Sequence, residues 1–438
     1  MTNKGVPTPL PHIWSSCGFV LICMRCGFLE RGTMITRKEN EYDDYGILTD
    51  FEKLYQAHRS CRKGKRWKDS VATYDIRALE STLYLQYLLQ TGQYRMGKYH
   101  CFTVNERGKE RNIKSTQYKD RVVQKNLCDN ILTPRITPTF TCSNGASLKN
   151  KGTDFTLDCL KEDLRHFYKK HGTSGFILVS DFKGYFDSLP HDLLNEMYEK
   201  EFKDEKIIKL IRMIHASTGG EVGVPLGNQL SQLDALMAAS PIDHMIKERL
   251  RIEGHSRYMD DFYLIHESKE HLKYCLEEIR KKANELGLRL NDKKTKIVPV
   301  TTGINFLGFH VYLTESGKIV FRVKAKTKSH ERQKLRKQKE KVERRELTFE
   351  TVKESYQAWK AHVKRGNTYY VLQEMDCYFY GLFINYLSES EKARYEKLKK
   401  YSKQRQRKKK QKQEVKNNAK ITKQPTSGGE GKRYTDSL

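Results

Sequence analysis

The sequence predicts an α+β fold, because hairpin-like and strand-like stretches alternate irregularly with helical stripes. Two stretches read as hairpins: 257–265, where aromatic and aliphatic residues flank the adjacent acids Asp260 and Asp261, and 102–113, which turns at Gly108. The apolar run 176–179 has the length of a buried strand and ends just before Asp181. Helical stripes follow. Leu272, Cys275, Leu276, Ile279, Ala283 and Leu286 recur at the helical period with Gly287 at the cap, and Val352, Tyr356, Trp359 and Val363 form a second stripe closed by Gly366 and Asn367.

At 438 residues the chain exceeds one typical domain, and 37% hydrophobic residues suffice for several cores. A formal net charge of +28 predicts a polyanionic partner, for which 25 Tyr and 18 Phe offer stacking surfaces. The ten cysteines show no paired framework and lie mostly in apolar contexts, which fits a reducing cytoplasm. No apolar run approaches the ~20 residues needed to span a membrane.

The acids carry the chemistry. Neighbouring carboxylates raise each other's pKa, so burying them calls for a divalent cation held by oxygen ligands. Asp181, just past a strand end, is a poor core residue, whereas Ser188 and Pro190 suit a helix start and make Asp187 a cap rather than a ligand. Two such acidic sites from distant segments fit a pair of Mg²⁺ ions, one activating a 3′-hydroxyl and one holding a nucleoside triphosphate.

Five motifs then stand in order. They are Asp181 with Phe186, Val-Pro-Leu-Gly-Asn-Gln-Leu-Ser-Gln at 224–232, Tyr-Met-Asp-Asp at 258–261, Leu-Arg-Leu-Asn-Asp-Lys-Lys-Thr-Lys at 288–296, and Asn-Phe-Leu-Gly-Phe at 305–309. Together they resemble the motif series of reverse transcriptases, with the resemblance running over residues 50–390. It implies a right-hand polymerase: fingers, a palm with an antiparallel sheet, a helical thumb, and here a basic, partly disordered C-terminal tail. The expected division is an unassigned N-terminal extension at 1–40, N-terminal helices and fingers at 41–174, palm at 175–315, thumb at 316–391 and tail at 392–438.

The resemblance also implies roles. Asp181, Asp260 and Asp261 are the expected catalytic acids and metal ligands, with the backbone at Phe182 completing a shell of two Mg²⁺ ions, Mn²⁺ being the alternative. Expected partners are an RNA template, a DNA or RNA primer and deoxynucleoside triphosphates. On the 102–113 hairpin, Arg111, with Lys109 as its partner, is expected to clamp the triphosphate, since cations there neutralise developing phosphate charge. Phe186 is expected under the sugar, where its ring collides with a 2′-hydroxyl. Leu226 and Gly227 are expected beside the incoming nucleotide. Lys293 or Lys294 is expected near the leaving pyrophosphate as general acid, without a choice between them. Arg62, Lys63, Lys65 and Arg66 beside Trp67, and Lys149 and Lys151 in the loop at 143–153, are expected to meet template.

The loop at 224–232 departs from most relatives, which carry Gln at the position of Leu226 and Pro at that of Gln232. The form ending Gly-x-x-x-Ser-Gln resembles reverse transcriptases of diversity-generating retroelements. Loss of a polar contact there would lower discrimination between nucleotides, and error-prone copying is what the resemblance implies, with a small accessory protein or structured non-coding RNA as a further partner. The rival settings are a retron, an antiphage defence system or an intron-type enzyme. An RNA-binding maturase-like protein and an RNA-dependent RNA polymerase are the more distant readings, the last opposed by Phe186.

The remaining expectations are local. The sequence predicts an amphipathic helix over 79–89, a fingers helix over 119–129, a strand at 288–290, a strand-like segment at 304–311 and an aromatic helix over 369–386. Lysine and arginine crowd 322–345 as the basic face of the thumb, which would hold the duplex by its phosphates. The tail from 392 starts helical and ends disordered. In the N-terminal extension the run at 13–29 is apolar. His12, Cys17, Cys23 and Cys26 are spaced too irregularly for a zinc knuckle, and Met34 reads as the natural start, with 1–33 dispensable.

Overall fold

The computed structural model describes residues 43–106 and 109–421. The expectations for the apolar run at 13–29, the zinc knuckle, Met34, the turn residue Gly108 and the end of the tail lie outside the described residues. The chain opens with helices Asp44–Thr49, Phe51–Arg62, Asp69–Ile76 and Ala78–Gln90. Asp43 accepts a hydrogen bond from the amide of Gly46, and Asp50 from that of Lys53. These bonds satisfy donors that a helix start leaves orphaned.

The helix Ala78–Gln90 corrects one expectation. Thr82, Leu85 and Leu89 are buried, whereas Leu79, Leu83, Tyr84 and Tyr87 are each more than half exposed. Neighbours meet it on one side: Gln86 Nε2 donates to the Thr49 carbonyl at 2.8 Å and Tyr45 donates to that of Leu89 at 2.7 Å. The helix is therefore apolar on both faces, not amphipathic.

Strands β1 (His100–Glu106) and β2 (Lys109–Ser115) form an antiparallel hairpin with Glu106 opposite Lys109 and Val104 opposite Arg111. The expected fingers helix follows at Tyr118–Leu127 and continues as a wider turn, Cys128–Leu132, that buries Cys128, Ile131 and Leu132. Helix Thr153–His171 then leads into β3 (Phe176–Asp181).

The central sheet adds β4 (Gly254–Tyr258), β5 (Asp261–His266) and β6 (Lys296–Pro299), in the order β4-β5-β3-β6 with every pair antiparallel. Both faces are covered. Leu178 packs into a core shared with Phe262 and Leu264, and its neighbour Ile177 into a second core shared with Tyr263 and Ile265. Burial on both sides explains why the strands read as continuous apolar runs rather than alternating ones. The helix Lys269–Glu285 carries the expected stripe, buried at Leu272, Cys275, Ile279 and Ala283, with Ser268 capping its start.

Two strand expectations change. Residues 288–290 make a single bridge, Leu290 with Phe182, because the chain turns away at once: Asn291 donates to the Asp181 carbonyl and Lys294 back to that of Asn291. The segment 304–311 is a hairpin instead of one strand. Leu307 and Gly308 have φ of +43° and +92°, which reverses the chain between β7 (Ile304–Phe306) and β8 (Phe309–Leu313). β9 (Ile319–Val323) completes this three-stranded antiparallel sheet.

Helices Ala325–Glu343, Phe349–Val363 and Tyr369–Leu382 follow around a third core that includes Leu335, Val352, Tyr356, Met375 and Phe379. Tyr356 stacks on Phe379 at 4.4 Å and donates to buried Asp376 at 2.8 Å, and Lys360 also reaches that carboxylate. The aromatic helix ends at Leu382, with a short turn Ile384–Tyr386 beyond it. A final helix spans Glu389–Ile421. The result is a polymerase-like fold of mixed helices and antiparallel sheets.

Candidate active site

β3 delivers Asp181 at its last position, and the β4–β5 hairpin delivers Asp260 and Asp261 at its turn. The register pairs Asp181 with Asp261, and the Phe182 amide donates to the Asp260 carbonyl at 3.3 Å. Oxygens of the three carboxylates lie within 4.8 Å of one another. Among the described residues no other trio of acid, histidine or cysteine side chains converges in this way. The two-residue turn needs a positive φ, supplied by Met259 at +55°.

The electrostatics fit a divalent cation. Burial pushes the Asp261 carboxyl up to about 6, and the charges of Asp260 and Asp181 add to that rise while Lys294 opposes it. Oδ1 of Asp181 is buried without a hydrogen-bond partner. Its other oxygen takes the Lys294 ammonium, whose pKa is depressed by burial but raised overall by that carboxylate. An orphaned buried oxygen and mutually repelling acids are what a bound cation would satisfy.

The Asp261 shift has a testable sign. Its folded pKa lies above the unfolded value, so its contribution to the stability of metal-free protein is full below ~4 and is lost as pH rises through 6. Asp261→Asn is therefore expected to stabilise chelator-treated protein by ~1–3 kcal/mol near pH 7.5 and by much less near pH 5. Thermal melts at the two pH values check this.

The other predicted residues separate into groups. Lys294 reaches the acids and Lys293 is exposed. Tyr185 is buried with its hydroxyl on the Ala235 carbonyl, which leaves Phe186 half-buried against it. The Phe186 carbonyl accepts from the Val224 amide at 2.8 Å, so the 224–232 loop is anchored beside that ring. Leu226 is half-buried, and Gly227, at φ +115°, lies where a Cβ would meet Ile113 of β2 at 3.9 Å. The hairpin bearing Arg111 and Lys109 thus stands against the loop. Asp187 does not cap: the helix His191–Glu201 starts after Pro190 with no side-chain cap. Its carbonyl matters instead, because Gly223, at φ +94°, approaches it so closely that a Cβ would sit at 3.1 Å.

The basic cluster is partly spent on the chain itself. Arg62 and Arg66 both pair with Asp75, leaving Lys63 and Lys65 exposed. Lys65 lines a cleft of about 430 Å³ with Arg121, Lys125, Ser147, Gln229 and Gln232. Lys151 donates to the carbonyls of Cys142 and Asn144 and so fastens the 143–153 loop, while Lys149 is exposed.

Two side chains escaped the sequence reading. Lys324 precedes the helix Ala325–Glu343, and burial depresses its pKa while the charge of Asp261 raises it. In sequence it is one of many cations in 322–345. Arg257 is fully buried behind the acidic turn, and no local signal marks it.

Residues 98–311 match the family model described as reverse transcriptase (RNA-dependent DNA polymerase). Among curated proteins, none matches the sequence. Similar solved structures include telomerase from Candida albicans in complex with a fragment of telomeric RNA, at 15% identity and TM-score 0.40 over 56% of this chain and 51% of that one. Apo telomerase from Candida tropicalis, truncated from its C-terminal domain, gives 15% and 0.39 over 55% and 60%. Telomerase from Candida tropicalis with the RNA fragment gives 16% and 0.37 over 65% and 59%. The chain thus spans only about half to three-fifths of those chains' length, and the likeness is too loose to bear on function. What the family match does establish is that the chain carries, over residues 98–311, a reverse transcriptase domain, the domain of RNA-directed DNA polymerases, which are nucleotidyltransferases.

Proposed function

We propose that the protein is an RNA-directed DNA polymerase that extends a DNA or RNA primer on an RNA template with deoxynucleoside triphosphates. The observation that carries this reading is the convergence of Asp181, Asp260 and Asp261 within 4.8 Å inside that domain. These carboxylates, with the backbone at Phe182, would hold two Mg²⁺ ions, or Mn²⁺ in their place. Such ions supply a more acidic 3′-hydroxyl and neutralise charge on the phosphates. Lys294, which pairs with Asp181, is assigned to the leaving pyrophosphate as general acid, with Lys293 as the alternative. Arg111 on the hairpin is assigned to the triphosphate, with Lys109 beside it. Lys63, Lys65 and Lys149 are assigned to template phosphates.

Extension of a labelled primer annealed to RNA, with deoxynucleotides and Mg²⁺, tests the reading. Absence of extension on any RNA template, by folded protein that binds the duplex, would sink it. Within the same assay Arg111→Ala is expected to raise KM for the nucleotide roughly ten- to a hundredfold, since a charge-assisted phosphate contact is worth ~1.5–3 kcal/mol. Duplex affinity should not change. An unaltered KM would remove Arg111 from the nucleotide site.

The finer assignment is to an error-prone enzyme of a diversity-generating retroelement, supported by Leu226 and by Gln232, which accepts from Ser147 at 3.1 Å. Sequencing cDNA made in the host tests it. Errors confined to template adenines on one fixed RNA support the assignment; faithful copying, or varied templates, redirects it to a retron, antiphage defence or intron-type setting. A small accessory protein or structured RNA, and a cytoplasmic location, belong to the same proposal. No helix among the described residues is long and apolar enough to cross a membrane.

A further inference from the structure

Arg257 is the largest fully buried side chain among the described residues, 1% exposed, and it lies one residue before the Tyr-Met-Asp-Asp motif. A buried guanidinium is tolerated only when its donors are satisfied, and this one distributes them over three segments. Nε donates to both oxygens of Asp243 at 2.9 Å and Nη2 to Oδ2 of the same carboxylate at 2.6 Å, which neutralises the charge. Nη2 also reaches the Leu236 carbonyl at 3.1 Å, on the helix Gln229–Ala238. Nη1 reaches the Met259 carbonyl at 3.0 Å. The Arg257 backbone pairs on its other side with the 143–145 loop, accepting from Gly145 at 2.9 Å and donating to Ser143 at 3.1 Å.

Met259 is the residue held at φ +55° immediately before Asp260. A left-handed residue with a side chain costs about 1–2 kcal/mol and persists only where its surroundings over-determine it. The Nη1 bond to its carbonyl is such a constraint, and Asp243, on the short helix Ser240–His244, fixes the guanidinium that makes it. A salt bridge with no further role could be exchanged for apolar packing at little cost in stability. The two carbonyl bonds are what that exchange would lose.

We propose that Arg257 is a positioning residue: through Asp243 and the carbonyls of Met259 and Leu236 it sets the backbone of the acidic turn, and so the spacing of Asp260 and Asp261 against Asp181. It also ties that turn to the loop and helix joined by the Ser147–Gln232 bond. The consequence for synthesis rests on the polymerase reading. The consequence for the turn and for cation binding does not.

Two variants test it. In Arg257→Lys the charge still faces Asp243, but one ammonium cannot span both carbonyls. It is expected to fold and to bind primer–template within about twofold of the parent, while kcat falls roughly thirtyfold or more, as a carboxylate displacement of ~1 Å would produce. Mn²⁺ binding without substrate, followed by electron paramagnetic resonance, should weaken several-fold, and hydrogen exchange over 257–262 should quicken. The paired change Arg257→Met with Asp243→Leu removes both charges and is expected to melt near the parent temperature yet keep the defects in Mn²⁺ binding and kcat. Parental Mn²⁺ affinity, exchange and kcat in either folded variant would overturn the proposal. So would failure of both variants to fold, which would make the group a structural one. If the parent itself extends no primer, the polymerase reading fails, while Mn²⁺ binding and exchange still decide the role of Arg257.

Discussion

Replacing Asp260 and Asp261 together by alanine is expected to lower primer extension by at least ~10³-fold, while affinity for RNA and for primer–template stays within about threefold. The two side chains occupy a hairpin turn, and the backbone bond from Phe182 to the Asp260 carbonyl does not depend on either. Two mutually repelling carboxylates leave with the substitution, so the fold has little to lose. Asp181 is a less clean target, because it is nearly buried and its carboxylate holds Lys294. Gel-resolved extension beside filter binding reads both quantities. Substantial synthesis by the double variant would detach the acids from the chemistry, and loss of binding in step with activity would make them structural.

What the sequence revealed and what it hid follow from the range of each interaction. Asp181, Asp260 and Asp261 were legible because an acid at the end of an apolar strand has no reason to be there as packing. The β1–β2 hairpin was legible because its turn lies between two strand-like runs. Asp243 was not, since its partner lies fourteen positions on and neither residue stands out among its neighbours. Arg62 and Arg66 looked like free cations for the same reason: Asp75, which holds them, sits on the next helix. The turn at Leu307 and Gly308 had a local signal in its glycine, but apolar residues on both sides outweighed it. The strand at 288–290 failed on length, because composition alone cannot say how far a segment stays paired before Asn291 turns it.

Phe186→Ala is expected to raise ribonucleotide incorporation relative to deoxynucleotide by roughly 10²-fold, with the deoxynucleotide kcat/KM itself changed less than about tenfold. In sequence, Tyr185 stands directly before Phe186 and carries a ring of similar bulk. The structure separates them, because Gly184, at φ +59°, starts a tight turn that sends Tyr185 into the core and leaves the next ring half-exposed. The Phe186 carbonyl that holds Val224 is backbone and survives the substitution, so the 224–232 loop keeps its anchor. Only the ring is lost, at a stability cost of ~1–3 kcal/mol for a partly buried aromatic, and assays belong well below the melting temperature. Tyr185→Phe is the opposing control. It deletes the hydroxyl bonded to the Ala235 carbonyl, costs about 1 kcal/mol, and should leave sugar selectivity alone. Single-nucleotide incorporation of matched ribo- and deoxynucleoside triphosphates measures both variants. Unchanged discrimination in Phe186→Ala would return that ring to ordinary packing and remove the main obstacle to an RNA-synthesising enzyme, whereas a shift confined to Phe186→Ala makes a 2′-hydroxyl clash the source of the preference for DNA.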